Sequence, residues 1–287
     1  MKEKSCLLCP RECGADRSAA VGYCGCGKNI KIAKYMLHFG EEPCITGTRG
    51  SGAVFFSGCS LRCVFCQNYP ISHELKGEEV SAFRLEEIFF ELKEKGAHNI
   101  NLVTGTHFAD KIAEVLKKCR TRLGLPIVYN CGGYEKVETL KMLDGLVDIY
   151  LPDLKYYSPE LSGKYSAAPD YFEYAYPAIK EMMRQQQKAE FDGEIMTRGV
   201  IVRHLVLPKC YHDSIALLDK LRELPNPPLV SIMRQYTPCY GAEKFPEINR
   251  KLTTFEYEKV VEHCADIGLN GFMQKKGCDN LDMTPDF

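Results

Sequence analysis

Short apolar runs alternate with amphipathic segments along the chain from residue 53 onward. The runs are rich in β-branched and aromatic residues, which is typical of strands. They are Ala53–Ser57, Asn99–Val103, Pro126–Tyr129, Val147–Leu151, Val200–Leu207 and Leu229–Met233. The segments between them carry apolar residues three and four positions apart, which indicates helices packed on one face. Six strands that alternate with helices predict a parallel sheet.

Helix ends are marked by capping residues. Gly124 follows an apolar helical stripe, as expected for a C-terminal cap. The last helix opens with the capping box formed by Thr253 and Glu256. Residues 169–188 stay open, because Pro177 either breaks a helix or lies in its first turn.

The number of units favours a partial, laterally open (β/α)6 barrel, since a closed barrel needs eight. An open, doubly wound sheet is the alternative. The predicted division of the chain is a cysteine-rich N-terminal segment at residues 1–43, the barrel at 44–270 and a C-terminal tail at 271–287.

Polar and glycine residues follow each predicted strand. Both architectures place their site at the carboxyl ends of the strands, so these segments should meet in one site. They are the loop after the first strand, Thr104–His107, Asn130–Gly133, Asp153–Lys155, Arg203–Lys209 and Gln235–Pro238.

Charge and hydropathy exclude several classes of protein. The chain has 287 residues and a formal net charge of −1, so no overall basic field attracts nucleic acid or an anionic membrane. No apolar run reaches the about 18 residues that span a bilayer. The N-terminus lacks the apolar region of a secretory signal. We therefore expect a cytoplasmic protein.

Cysteines are concentrated near the N-terminus. Nine of the fifteen lie in the first 66 residues, and in a reducing compartment this clustering favours metal or cluster binding over disulfides. The isolated Cys119, Cys210 and Cys264 are interpreted as small buried apolar residues. Cys131 and Cys239 lie at strand ends, from which they can enter the site.

The stretch GCSLRCVFCQN places Cys59, Cys63 and Cys66 at the spacing C-x3-C-x2-C. Three thiolates leave one iron of a four-iron cluster open, whereas a zinc loop needs a remote fourth ligand. The stretch resembles the signature of the radical S-adenosylmethionine (SAM) superfamily, and in particular that of the pyruvate formate-lyase activating enzymes. DIYLPDLK and VIVRHLVLP resemble two further strand segments of the same family.

This resemblance implies an enzyme whose [4Fe–4S] cluster is held by the three cysteines. Its open iron would bind SAM, and reductive cleavage of SAM would give a 5′-deoxyadenosyl radical that removes a hydrogen atom from the substrate. No catalytic side chain beyond the cluster ligands is implied. A flavodoxin- or ferredoxin-like protein would donate the electron. The substrate is a glycyl-radical protein or, alternatively, another peptide, an RNA or a small molecule. A non-catalytic iron–sulfur electron carrier is a further alternative.

Several SAM-binding residues follow from the same resemblance. Phe65 would face the adenine, although an ordinary buried aromatic fits the same position. Thr104, Gly105 and Thr106 stand where the family usually has Gly-Gly-Glu for the methionyl ammonium, and Thr106 fits a helix cap equally well. Asn130 stands where the family has an aspartate.

The fourth and fifth strands supply charged candidates. The resemblance implies that Asp153 binds ribose hydroxyls or the ammonium of SAM and that Lys155 binds its carboxylate. An ion pair at the barrel rim is the alternative for both. Arg203 is expected to point inward, also by resemblance. Because side chains alternate along a strand, His204 should then face the outer helices.

The N-terminal segment contains a second group of cysteines. Cys6, Cys9 and Cys13 have the spacing C-x2-C-x3-C, and Cys24 or Cys26 is available as a fourth ligand. A small glycine-rich segment without its own core needs a cross-link, so we predict a structural zinc or an auxiliary iron–sulfur cluster, with metal-free thiols as the alternative.

The sequence also offers two segments that could guide a partner, namely Cys239–Lys251 and Gly277–Phe287. A lateral opening of the barrel would admit a polypeptide loop. We therefore expect a protein substrate that inserts a loop beside Arg203 and Tyr236.

Overall fold

The computed structural model describes residues 5–274 and 285–287. The strands in this part are β1 (Ile30–His38), β2 (Ser51–Phe56), β3 (Glu78–Val80), β4 (Ile100–Val103), β5 (Ile127–Cys131), β6 (Ile149–Pro152), β7 (Glu190–Asp192), β8 (Ile195–Leu205), β9 (Leu229–Met233) and β10 (Gly271–Met273). The α-helices are α1 (Pro43–Thr46), α2 (Tyr69–Ser72), α3 (Ala82–Glu94), α4 (Ala109–Leu123), α5 (Val137–Lys141), α6 (Pro159–Ser166), α7 (Tyr171–Gln185), α8 (Tyr211–Arg222) and α9 (Thr254–Asp266).

The strands form one mostly parallel sheet with the order β10-β9-β8-β6-β5-β4-β2-β1-β3. Neighbours from β2 to β10 along this order are parallel, whereas β1, β3 and β7 pair antiparallel. Among the described residues no hydrogen bonds join the two ends of the sheet. The six predicted strands correspond to β2, β4, β5, β6, β8 and β9, which confirms the partial barrel.

The two faces of the sheet distinguish a barrel from a doubly wound sheet. The outward side chains of β4, β5 and β8 join the same core as those of helices α3, α4, α7, α8 and α9. The inward side chains, among them Val128, Leu151 and Ile201, pack instead against Cys44 and Ile45 of the short helix α1. The long helices therefore cover one face, and α1 plugs the interior of the barrel.

Helix ends follow the predicted capping chemistry. Gly124 ends α4 with a left-handed φ of 63°. Thr253 and Glu256 form the predicted capping box at α9, with each side chain bonded to the other residue's backbone. The open segment 169–188 forms α7, and Pro177 lies inside it. The buried face of α7, which includes Ala178, Ile179 and Met182, holds the helix together across the missing hydrogen bond.

The strands β1, β3, β7 and β10 lie outside the predicted pattern. In β1 the polar Lys31 and Lys34 interrupt the apolar residues, which hides a strand that is paired with β2 on one side and β3 on the other. This pairing crosses the predicted boundary between residues 43 and 44, and the division into segments stays a prediction. In the part of the chain that the structure describes, no helix is long and apolar enough to cross a membrane.

Candidate functional site

A cavity of about 440 Å³ lies at the carboxyl ends of the parallel strands. It collects residues from the loop after β2 and from the ends of β4, β5, β6 and β8, as the strand-end pattern predicts. The predicted site residues that line it are Cys59, Cys63, Cys66, Thr104, Asn130, Asp153, Lys155 and Arg203. Cys131 also enters the lining, whereas Phe65, Gly105, Thr106 and Cys239 are not part of it.

The loop that carries the three cysteines begins with a glycine of positive φ. Gly58 has φ +86°, and a Cβ there would lie 2.5 Å from the sulfur of Cys26 and 2.6 Å from the carbonyl oxygen of Cys24. Only glycine fits this contact. Further along the loop, the backbone N–H of Val64 donates to the carbonyl of Tyr165 at 2.9 Å, so the end of α6 supports the loop.

Hydrogen-bond donors approach each of the three sulfurs. The Ser166 hydroxyl donates to Cys63 Sγ at 3.0 Å, and the Leu61 N–H donates to Cys59 Sγ at 3.4 Å. A hydrogen bond of 3.2 Å joins Cys66 Sγ to the Ser72 hydroxyl. Such donors suit sulfurs that carry negative charge, as cluster-bound thiolates do.

Asp153 lies between two cations. Its carboxylate accepts from Lys155 Nζ at 2.6 Å and from Arg203 Nε at 3.1 Å. Burial alone would raise the pKa of Asp153, but the charges of Lys155 and Arg203 outweigh it and hold the pKa below its usual value. The positive charge of Lys155 also favours the thiolate forms of Cys59 and Cys66, against the larger effect of burial, and the Cys63 sulfur in turn favours the charged form of Lys155. The group is thus an ion-pair network that faces the cysteines.

Arg203 points inward, as predicted, and its guanidinium is surrounded by acceptors. Besides Asp153, it donates to Glu41 Oε2 at 3.0 Å and to Asn130 Oδ1 at 2.6 Å. Glu41 was not anticipated from the sequence, because it precedes α1 and is 162 positions from Arg203. The adjacent pair Glu41–Glu42, directly before a proline, is the one local signal that could have drawn attention to it.

Two other predicted residues take part in packing. The Phe65 ring lies 5.7 Å from the Tyr236 ring in an edge-to-face contact. The Thr106 hydroxyl donates to Glu135 at 2.6 Å, and no side-chain cap is formed at the short helix that Thr106 begins. Glu135 is itself buried, and this burial raises its pKa to about 7. Like Glu41, the buried Glu135 that follows β5 was not anticipated from the sequence.

The N-terminal cysteines lie next to the loop rather than in the cavity. Cys13 and Cys24 lie on either side of Gly22, since a Cβ at that glycine would lie 3.3 and 3.6 Å from their sulfurs. Arg11 fastens the segment, since its Nε donates to the carbonyl of Ser60 at 2.8 Å. Within residues 5–274 and 285–287, no three His, Cys, Asp or Glu side chains are placed to bind one metal ion together. The N-terminal metal at Cys6, Cys9, Cys13 and Cys24 therefore stays a prediction.

A cluster differs from a single ion in what it asks of its ligands. Each cysteine of an iron–sulfur cube binds a different iron, so the three sulfurs need a common cavity rather than a common point. Cys59, Cys63 and Cys66 meet that requirement, because all three line the same cavity.

His204 faces the outer helices, opposite to Arg203, as the strand alternation predicts. Its Nδ1 donates to the carbonyl of Leu154 at 2.7 Å, and its Nε2 accepts from the hydroxyl of Ser214 in α8 at 2.8 Å. The ring is thus a buried link between β8 and α8. Burial lowers its pKa from the ordinary 6.5 to about 4.

This pKa predicts a pH dependence of stability. Folded His204 stays neutral while the unfolded residue gains a proton below its ordinary pKa of 6.5, so its contribution is complete above pH 6.5 and falls as the pH drops toward about 4. We expect His204→Asn to reduce the slope of the free energy of unfolding by about 1.4 kcal/mol per pH unit in that window. Urea unfolding at a series of pH values measures it, with His212→Asn as control. Parallel profiles for wild type and His204→Asn would contradict the assignment.

Comparisons with known proteins agree with this geometry. The model of the radical SAM superfamily matches residues 53–205. A curated uncharacterized protein of Methanocaldococcus jannaschii is 30% identical over 271 residues, which cover 90% of this chain and 74% of that protein. SuiB of Streptococcus suis, solved with S-adenosylmethionine bound, has a TM-score of 0.53 at 16% identity and covers 80% of this chain.

The structural neighbours share the fold and differ in length. Methylornithine synthase has a TM-score of 0.52 at 17% identity, over 78% of this chain and 72% of the synthase. The chain spans about half the length of the SuiB structures, with 51% coverage of the SAM-bound one. More than half of the chain matches the family model, from the start of the inner strands through Arg203. The chain therefore belongs to the radical SAM superfamily and is an enzyme of that superfamily.

Proposed function

We propose that this enzyme cleaves SAM reductively in the cavity at the strand ends and uses the product to remove a hydrogen atom from a substrate. Superfamily membership implies a [4Fe–4S] cluster and SAM as cofactors. The observation that carries the proposal is that Cys59, Cys63 and Cys66 line the same cavity as Asp153 and Lys155.

The donor set fits a cluster. Three thiols face one cavity, each with a hydrogen-bond donor at its sulfur, and Lys155 supplies a nearby positive charge. Burial raises the pKa of Cys66 to about 12, so binding to iron must displace its proton. Cluster binding should therefore weaken as the pH falls.

SAM would be held by the polar side of the same cavity. Lys155 suits its carboxylate, and Asp153 suits either the ribose hydroxyls or the ammonium. Thr104 and Asn130 line the cavity and supply hydroxyl and amide groups. Arg203 already donates to Asp153, Glu41 and Asn130, so its part would be to fix the position of Asp153.

The cluster, if bound by Cys59, Cys63 and Cys66, would supply the electron for reductive cleavage of SAM. The chain's own contribution is to bind SAM beside the cluster and exclude water. Anaerobically reconstituted protein, reduced with dithionite and given SAM, should release 5′-deoxyadenosine and methionine, slowly without substrate. Mass spectrometry measures both products, and their absence from fully loaded protein would refute the function.

Binding of SAM should depend on the two charged residues that follow β6. Asp153→Ala and Lys155→Ala are each expected to weaken SAM binding by about 1–3 kcal/mol, because each removes a charge-assisted hydrogen bond. Equilibrium dialysis with labelled SAM measures the loss. Lys117→Ala, on the exposed face of α4, is the control. If both variants bind SAM like wild type, Asp153 and Lys155 are only an ion pair.

For the substrate we propose a protein. The activating-enzyme resemblance of the cysteine loop favours a glycine Cα–H, and the solved complex of SuiB with its precursor peptide SuiA is a superfamily case with a peptide bound. In the segment Cys239–Lys251, Tyr240 is half exposed and stacks on Tyr69 at 5.2 Å beside the loop. Most of the second candidate segment, Gly277–Phe287, lies outside the described residues.

The protein substrate is tested by anaerobic incubation with glycyl-radical proteins. A glycyl signal in electron paramagnetic resonance is the expected result. Deuterium transfer to 5′-deoxyadenosine from a labelled small metabolite, without any modified protein, would assign a small-molecule substrate instead. Activity with a flavodoxin or ferredoxin in place of dithionite identifies the proposed electron donor.

The N-terminal cysteines are proposed to hold a zinc ion or a second cluster. We expect metal analysis of the reconstituted protein to give more metal than the cysteine loop accounts for. The excess should disappear in a variant with Cys6, Cys9, Cys13 and Cys24 replaced by serine. Equal metal content in that variant and in wild type would leave these residues as free thiols.

A further inference from the structure

The acidic pair Glu41–Glu42 occupies the interior of the barrel. It lies on the turn that enters α1, and both side chains line the same cavity as the cysteines. Glu41 is fully engaged, because it binds Arg203 and also accepts from the amides of Asn101 and Asn130 at 2.9 and 3.0 Å. The neighbouring Glu42 has no such set of donors.

Glu42 carries an acceptor without a donor. The residue is only 7% exposed, and its Oε2 has no hydrogen-bond partner. The nearby hydroxyl of Ser231, in β9, favours the charged form of the carboxyl group. A buried carboxylate oxygen left unpaired is costly, so a donor is expected to reach it when the cavity is filled.

The charges of the cavity do not balance. Three carboxylates line it, those of Glu41, Glu42 and Asp153, against the two cations Lys155 and Arg203. Both cations are paired to Asp153, and Arg203 also to Glu41. Glu42 is the carboxyl group without a cation of its own, and burial raises its pKa although Arg203 opposes this effect. A ligand that brings a positive charge and N–H donors would stabilise the ionised carboxylate and is favoured here.

The surroundings of Glu42 limit the shape of that ligand. The cavity is also lined by Phe55, Met233 and Phe272, which offer apolar contact to an alkyl chain. A protonated amine or a guanidinium on such a chain meets both requirements. Lys155 and the cysteines are reserved for SAM and the cluster under the proposed function, which leaves Glu42 for the other reactant.

We propose that the Glu41–Glu42 pair binds a cationic group of the substrate, an alkylammonium or alkylguanidinium, with Glu42 Oε2 as its acceptor. That the bound cation belongs to the substrate rests on the proposed function, whereas cation binding itself can be tested without turnover. A substrate of this class would be anchored by its charge at Glu42 while another part lies near the cluster.

The test uses butylguanidine as probe and butylurea as its neutral isostere on the reconstituted full-length protein. Isothermal titration calorimetry is expected to give butylguanidine at least tenfold tighter binding than butylurea. Glu42→Gln, which keeps size but removes the charge, should lower the affinity for butylguanidine at least tenfold. Glu258→Gln, on the exposed face of α9, should leave it unchanged.

Three outcomes decide against the proposal. Equal affinity for butylguanidine and butylurea would show that no cation site exists. Unchanged butylguanidine binding in Glu42→Gln, with an unchanged melting temperature, would place the site elsewhere. A tenfold or greater loss of SAM affinity in Glu42→Gln would assign the pair to the ammonium of SAM instead. Cation binding without any SAM cleavage would refute the proposed function and leave the cation site standing.

Discussion

Replacing Cys59, Cys63 and Cys66 together by alanine is expected to abolish both the iron–sulfur cluster and SAM cleavage. All three cysteines line the cavity, and the sequence contains no other set of cysteines with the spacing C-x3-C-x2-C. The fold should persist, because backbone bonds such as Val64 N–H to Tyr165 hold the loop without the sulfurs. Iron content and visible absorbance measure the cluster, mass spectrometry of 5′-deoxyadenosine measures SAM cleavage, and far-UV circular dichroism measures the fold.

Cys239→Ala is the matched control. Cys239 is partly exposed and contacts the carbonyl of Phe65 at 3.3 Å, but it is not part of the cavity lining. It should keep both cluster and SAM cleavage. Cleavage of SAM by the triple alanine variant would refute the assignment of the three cysteines.

Arg203→Met is expected to lower the free energy of unfolding by about 3–5 kcal/mol, since it leaves the buried carboxylate of Glu41 without its cation and Asp153 with Lys155 alone. The guanidinium side chain is 15% exposed, and it contacts Glu41, which is 7% exposed, and Asp153. Urea unfolding of the cluster-free protein measures the loss. SAM affinity should fall as well, because Asp153 loses the group that positions it.

Lys259→Met provides the comparison for a surface ion pair. Lys259 binds Glu262 at 3.0 Å with both side chains largely exposed, so its loss should cost less than about 1 kcal/mol. If Arg203→Met costs no more than Lys259→Met, the ion-pair network of the cavity is not a determinant of stability.

The sequence predicts those features that repeat with the period of a strand or helix. The six inner strands are recognised because their apolar runs are continuous, as expected for strands buried on both faces. The cysteine loop is recognised by spacing, and Arg203 and His204 are correctly assigned to opposite faces by alternation. These features depend on neighbours in the chain.

Features that depend on distant contacts could not be predicted. Glu41 reaches Arg203 only because α1 folds into the barrel, and its one local signal, an acidic pair before a proline, does not indicate that contact. Ser166 supports Cys63 from 103 positions away. Thr106 stands at a position typical of a helix cap, yet its hydroxyl donates to Glu135. A buried carboxylate without a donor costs more free energy than an uncapped helix end.

The pairing of β1 with β2 has a consequence for where the chain can be cut. Residues Ile32–His38 lie beside Ser51–Phe56, and every residue of β2 is buried. A shortened chain that starts at residue 44 would turn β2 into an edge strand, with unpaired N–H and C=O groups and the apolar side chains of Val54 and Phe56 next to them. Such edges recruit strands from other molecules. The N-terminal segment therefore also acts as the protein's protection against aggregation.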